Sequence, residues 1–192
     1  TTADAVTVLG RDPATGTLSG IFGPSVRQEY TNSNLNSVYG LAASPDGKNV
    51  YVTGYTSDSL VTLKRDASTG LLSFSQVLTT TAAAGLNGVF RVIVSPDGNF
   101  VYTAAYDSDA TCAFKRSAVD GTLTFLQCKL GVLYHDAASD LALTPDGKYL
   151  VVSGYLSDSV TVYARDPQTG LLYYHDAIVR NFLPWLDGAR GV

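Results

Sequence analysis

Arg91 and Asp140 are the first residues to consider as chemistry, because nothing else in the chain repeats them. A guanidinium and a carboxylate that open successive β-runs can pair with each other or together clasp a polar ligand. Asp107 adds a further acid nearby, where the equivalent positions hold Thr56 and Leu156. The two histidines, His135 and His175, each sit in a Tyr-His-Asp triplet. A His beside an Asp can serve as a base or a metal ligand, or do neither. His135 is the better candidate, because its loop is expected to cross the face that carries Arg91. Trp185 and Phe182 could stack on a sugar ring or cover core. Asp58, Asp109 and Asp158 do repeat, with Asp4 as a fourth. A ring of carboxylates could hold a cation, and turn capping is the simpler reading. Cys112 and Cys128 have no metal-binding spacing and are expected to form a disulfide, with two separate buried thiols as the alternative.

The elements that must position these residues come as a repeat. Ser44-Pro45-Asp46-Gly47, Ser95-Pro96-Asp97-Gly98 and Thr144-Pro145-Asp146-Gly147 recur at intervals of 51 and 49 residues. After each turn comes a β-rich run around Tyr51, Tyr102 or Val151. A Tyr three residues before an Asp follows (Tyr55, Tyr106, Tyr155), then a run ending in Arg65, Arg116 or Arg165. A Gly turn and a last alternating run close the unit. Pro presets φ, Asp bonds its own backbone and Gly takes φ > 0, which is hairpin chemistry. Four strands, A to D, with no helical period between them, predict an all-β fold: a β-propeller of four-stranded antiparallel blades. In the middle unit the strands are expected at about 90–95, 100–106, 110–116 and 123–129. On that register Cys112 lies opposite Gln127 or Cys128, and only one of the two brings the sulfurs together. Arg91 and Asp140 then open the A strands of adjacent blades and face a channel mouth. Asp58, Asp109 and Asp158 fall in B–C turns on that same face. Tyr55, Tyr106 and Tyr155 are expected to pack between blades. Arg11, Arg65, Arg116 and Arg165 are expected on an outer rim, solvated or bonding turns.

The chain divides into a partial blade at 1–37, blades at 38–88, 89–139 and 140–181, and the start of another at 182–192. Three complete and two partial blades are expected to need other blades or chains to close a ring. A chain that opens on Thr1 without Met reads as a processed or excised segment. With 13 basic and 17 acidic residues, a net charge of −4 and no basic cluster, nucleic acid and anionic membranes are poor partners. No apolar run reaches the roughly 20 residues of a membrane span. No G-x-S-x-G elbow, phosphate loop, dinucleotide fingerprint or H-E-x-x-H is present, so no cofactor is expected.

The repeat SPDGKNVYVTGYTSDSLVTLKRDASTGLLSF and the closing LDGARGV resemble the lactonase-like seven-bladed propellers, which include 6-phosphogluconolactonases and carboxy-muconate cyclising enzymes. The resemblance implies a ring of roughly 340 residues at this repeat period. It also implies His, Arg and Glu around the central channel of enzymatic members. The matching positions here read Gly40, Arg91, Asp140 and Gly191, of which only Arg91 is of the catalytic type. The expectation is therefore a non-catalytic, secreted (extracellular or periplasmic) binding or scaffold propeller. It would recognise a polar small molecule, a glycan or a protein through its top face. The alternatives are a lactonase or cyclising enzyme completed by further blades, and a self-assembling structural protein.

Overall fold

The computed structural model of the chain describes residues 4–20, 28–131 and 135–179. The first blade holds β1 (Ala5–Thr7), β2 (Leu9–Arg11), β3 (Leu18–Gly20) and β4 (Glu29–Thr31), with β1 paired to β4 and β2 to β3. The second is β5 (Val38–Ala43), β6 (Asn49–Gly54), β7 (Ser59–Arg65) and β8 (Leu72–Thr79). The third is β9 (Val89–Val94), β10 (Phe100–Ala105), β11 (Ala110–Arg116) and β12 (Leu123–Leu130). The fourth is β13 (Ala138–Leu143), β14 (Tyr149–Gly154), β15 (Ser159–Arg165) and β16 (Leu172–Val179). Blades two to four are antiparallel sheets of four strands in sequence order, and the molecule is an arc of a β-propeller. The inner strands β5, β9 and β13 lie side by side.

The repeated turns close each blade as the sequence predicts. Ser44 Oγ donates to Asp46 Oδ1 at 2.6 Å, Lys48 N donates to that oxygen, and Gly47 takes φ 67°. The same pattern recurs at Ser95–Asp97 and Thr144–Asp146.

Three apolar clusters lie between successive blades, which is why no blade stands alone. Each seam is also stitched by polar bonds. On the side of the A–B turns, Arg116 reaches back to the preceding blade. Its guanidinium donates to Tyr51 Oη (2.9 Å), Asn49 Oδ1 (2.7 Å) and Asp46 (2.8 Å), and to Gly98 O of its own blade. Arg165 repeats this with Tyr102, Asp97 and Gly147 O. Tyr51 and Tyr102 donate onward to Gly121 O and Gly170 O. Arg116 and Arg165 are thus buried between blades rather than solvated, and like Arg65 they bond the turn of their own blade as expected, whereas Arg11 and Arg65 are exposed. Burial opposes ionisation of Asp46, but bonds from Ser44 and Arg116 outweigh it and hold its carboxyl well below the usual range. Burial pushes Tyr51 up to about 12. On the outer strands, Gln76 accepts from Leu123 N (2.7 Å) and donates to Leu123 O (3.0 Å). Gln28 does the same at Leu72, and Gln127 donates to Leu172 O.

Candidate functional site

The A strands begin with a β-bulge in every complete blade. Val89 pairs with Ala105 and Arg91 with Ala104, so Phe90 is the extra residue. Ser139 is the extra residue in the fourth blade, and the second is irregular between Val38 and Leu41. A bulge lets consecutive side chains serve one surface. Here it brings both Phe90 and Arg91 to a cavity of about 460 Å³, lined also by Tyr39, Tyr106, Ser139 and Tyr155. That volume lies in the range of small-molecule sites, roughly 300 to 1,000 Å³.

Arg91 is fixed from two sides. Its Nη1 donates to Tyr39 O at 2.9 Å, and its Nε stands 3.5 Å from Asp140 Oδ1. The guanidinium carbon lies 4.8 Å from the centre of the Phe90 ring. The Arg91 side chain is 37% exposed and that of Asp140 25%, so the pair stays in reach of a ligand. The aromatic wall is built from Tyr39 stacked on Phe90 (centroids 4.5 Å apart) and from Tyr106 beside Tyr155 (6.1 Å). Gly40 permits this arrangement. A Cβ there would meet Phe90 O and Thr53 Oγ1 at 2.8 Å, so only glycine lets β9 come this close to β5. Thr53 Oγ1 donates to Phe90 O at 3.2 Å and holds the bulge from beneath.

The other sequence candidates divide. Asp107 lies on the rim and accepts from Tyr55 Oη at 2.9 Å. That bond, more than burial, raises the Tyr55 phenol. Tyr55, Tyr106 and Tyr155 are only half-buried; Tyr106 and Tyr155 line the cavity and Tyr55 packs edge-on against Phe90. They do pack between blades as expected, Tyr55 on Phe90 and Asp107 of the third blade and Tyr106 on Tyr155 of the fourth, and they do so on the top face.

His135 is a correction. It is fully buried instead of lying on the top face, with Nε2 2.9 Å from Thr111 Oγ1 and Nδ1 2.8 Å from Tyr163 Oη. Burial lowers its pKa to about 4, with Asp109 opposing. It stands two residues before Ala137, as Leu35 stands before Ser37 and Leu86 before Gly88, and all three plug a seam between blades. It contacts neither the cavity nor solvent. His175 is exposed and packs against Tyr149.

The weak metal reading of Asp58, Asp109 and Asp158 is corrected too. Asp58 Oδ1 accepts from Gly88 N (2.8 Å), Asp109 Oδ1 from Ala137 N (2.6 Å), and Asp4 Oδ2 from Ser37 N (2.6 Å). Each carboxylate therefore holds the backbone where the next blade begins. Asp58, Asp109 and Asp158 all have φ near +50°, as do Ser37 and Ala137. Among the described residues no three His, Cys, Asp or Glu side chains come together to hold a metal. Cys112 and Cys128 are directly opposed across β11 and β12 and form a disulfide. Trp185 and Phe182 lie outside the described residues.

The profile of the lactonase, 7-bladed β-propeller family matches residues 41–180. The chain belongs to the seven-bladed lactonase propeller family. Among solved structures, a protein described as a 6-phosphogluconolactonase from Bacteroides uniformis is 25% identical with a TM-score of 0.74, over 92% of this chain and 49% of that one. A second so described, from Bacteroides fragilis, is 21% identical with a TM-score of 0.77, over 98% and 51%. The periplasmic gluconolactonase of Pseudomonas aeruginosa is 24% identical with a TM-score of 0.76, over 92% and 48%. This lactonase-family chain spans about half the length of these relatives, and no match was found among curated proteins.

Proposed function

We propose that this chain supplies the Arg91 side of a channel that hydrolyses a sugar lactone, in an extracellular or periplasmic propeller. Arg91 carries the reading. Among the described residues that line the cavity it is the one cation, it is fixed by Tyr39 O and Asp140, and it stands at the start of an A strand, where the family's enzymes act. Family membership and the lactonase neighbours favour hydrolysis over the binding or scaffold reading. The disulfide and the periplasmic neighbour support an oxidising compartment.

The geometry suits the chemistry. A lactone is a flat-faced ring with a polarised ester carbonyl, and the C–H face of such a ring packs on Tyr39 and Phe90 or on Tyr106 and Tyr155. Arg91 holds the negative charge that gathers on the ester oxygen as water adds, and Asp140 keeps the guanidinium in place while that charge grows. Ring opening then gives an aldonate and one proton.

Proton release from glucono-δ-lactone and from its 6-phosphate, measured against the spontaneous rate, tests this. The protein should exceed the spontaneous rate, and Arg91→Ala should lower kcat/KM on the order of 100-fold. An Arg91→Ala variant as fast as the parent would remove the site from this cavity. No acceleration, together with Arg91-dependent binding of gluconate, would replace hydrolysis by recognition.

A further inference from the structure

The cross-strand pair bonded as Cys112–Cys128 is Val61 and Val77 in the second blade and Thr161 and Ala177 in the fourth. The blade fold therefore does not require a disulfide at this place. What differs in the third blade is the segment lying on it. Residues 84–86 form a 3-10 turn with Gly85 and Leu86 buried, and a Cβ at Gly85 would come within 2.6 Å of Cys112 Sγ and 2.8 Å of Cys128 Sγ. Leu86 and Val89 share one core with Cys112 and Cys128. Gly88 follows, held by Asp58 at its N–H and backed by Asp107, to which a Cβ at Gly88 would come within 2.5 Å. Phe90 and Arg91 come next. The segment that delivers Arg91 to the cavity is thus seated directly on the two sulfurs.

We propose that Cys112–Cys128 is a thiol-sensitive device that sets the position of the Arg91 segment, and with it ligand capture by the cavity; the second part rests on the cavity being the binding site. The chemistry is exchange with a small dithiol. One thiolate attacks Sγ of Cys128, the half-buried partner, and the S–S bond breaks. The fully buried Cys112 leaves as a thiolate and takes up a proton. The second thiol of the reagent then closes on the mixed disulfide, releasing Cys128 and the cyclic oxidised reagent. Two unbonded sulfurs stand farther apart than two bonded ones, and Gly85 leaves no space for them, so the 84–86 turn must shift.

Amide hydrogen exchange of the protein before and after dithiothreitol reads this directly. Exchange at 83–91 should rise at least tenfold while β14–β16 stay as they were, and affinity for 6-phosphogluconate should fall. A Cys112→Ala/Cys128→Ala variant should show no response to the reagent. Unchanged exchange at 83–91 after verified reduction overturns the proposal, as does faster exchange spread over every strand of the third blade, which is simple loss of a staple. Faster exchange at 83–91 with equal ligand affinity in both states overturns the link to capture. If exchange responds but no ligand binds in either state, the seating of the segment stands and the cavity assignment fails instead.

Discussion

A proton on His135 would have to be carried in a seam closed to solvent, between Thr111 and Tyr163. Burial therefore favours the neutral ring, and its pKa falls to about 4 against an unfolded value of about 6.5. The unfolded chain binds the extra proton first. The stability contributed by the neutral ring is complete above about pH 6.5 and is lost as the pH falls towards 4, by about 3 kcal/mol at most. Most carboxylates titrate below that window, so the slope there belongs to this residue. We expect denaturant midpoints to fall between about pH 6.5 and about pH 4.5, and the fall to vanish in His135→Leu, which places there the residue found at Leu35 and Leu86. A His135→Leu variant with the parent's slope would assign it to other groups. The plug position was legible from the sequence once the repeats were aligned, because Leu35, Leu86 and His135 stand at one offset from the start of each blade. Residue type alone suggested a functional histidine. What hid its role was that two hydroxyls, distant in sequence, satisfy both ring nitrogens.

At the scale of the strand and its turn, Asp4, Asp58 and Asp109 each hold the start of the next blade. Asp109 adopts φ 48° and accepts from Ala137 N, where β13 is about to begin. Asp109→Ala loses the bond and places alanine in a left-handed conformation that Asp and Asn tolerate better. The expected cost is about 2 kcal/mol by chemical denaturation, with Asp109→Asn milder by half or more. Equal losses for the two variants would show that the backbone bond contributes little. The strands themselves were readable: the third blade was expected at 90–95, 100–106, 110–116 and 123–129 and is found at Val89–Val94, Phe100–Ala105, Ala110–Arg116 and Leu123–Leu130. Turn chemistry is local, and Pro-Asp-Gly states it in adjacent residues. The bulges at Phe90 and Ser139 were not readable. They depend on which residue faces Ala104 or Ser153 across the sheet, and that decides whether one or two side chains reach the cavity. Nor was the Gln28, Gln76, Gln127 series picked out, although its spacing follows the repeat, because glutamine bonding to backbone leaves no distinctive neighbours in sequence.

Across the whole arc, stability is built from blades and the seams between them. The seam between the second and third blades combines the cluster around Tyr51, Leu86 and Val92 with Arg116 on Asp46, Asn49 and Tyr51, Gln76 on Leu123, and Asp58 on Gly88. The next seam has the same Arg165–Asp97–Tyr102 set. The fourth blade departs from this residue pattern. Val151 stands where Tyr51 and Tyr102 stand in theirs, and Asp176 replaces the glutamine, its carboxylate accepting from Ala177 N. Seams of comparable strength make the arc unfold as one unit, because the coupling across each seam exceeds the difference in stability between its two sides. Removing the polar half of one seam should end that cooperativity. Arg116 has a side chain only 4% exposed, and Asp46→Ala with Tyr51→Phe strips it of its counter-charge and of a bond while leaving the apolar cluster almost intact. We expect a loss of about 3 kcal/mol at this seam and a urea transition that splits into two steps. The first should report on Trp- and Tyr-independent probes placed in the second blade, and the second on β13–β16. A single transition shifted to lower urea would mean that the apolar contacts alone keep the blades coupled, and that the arginine clamp fixes register without carrying the cooperativity of the arc.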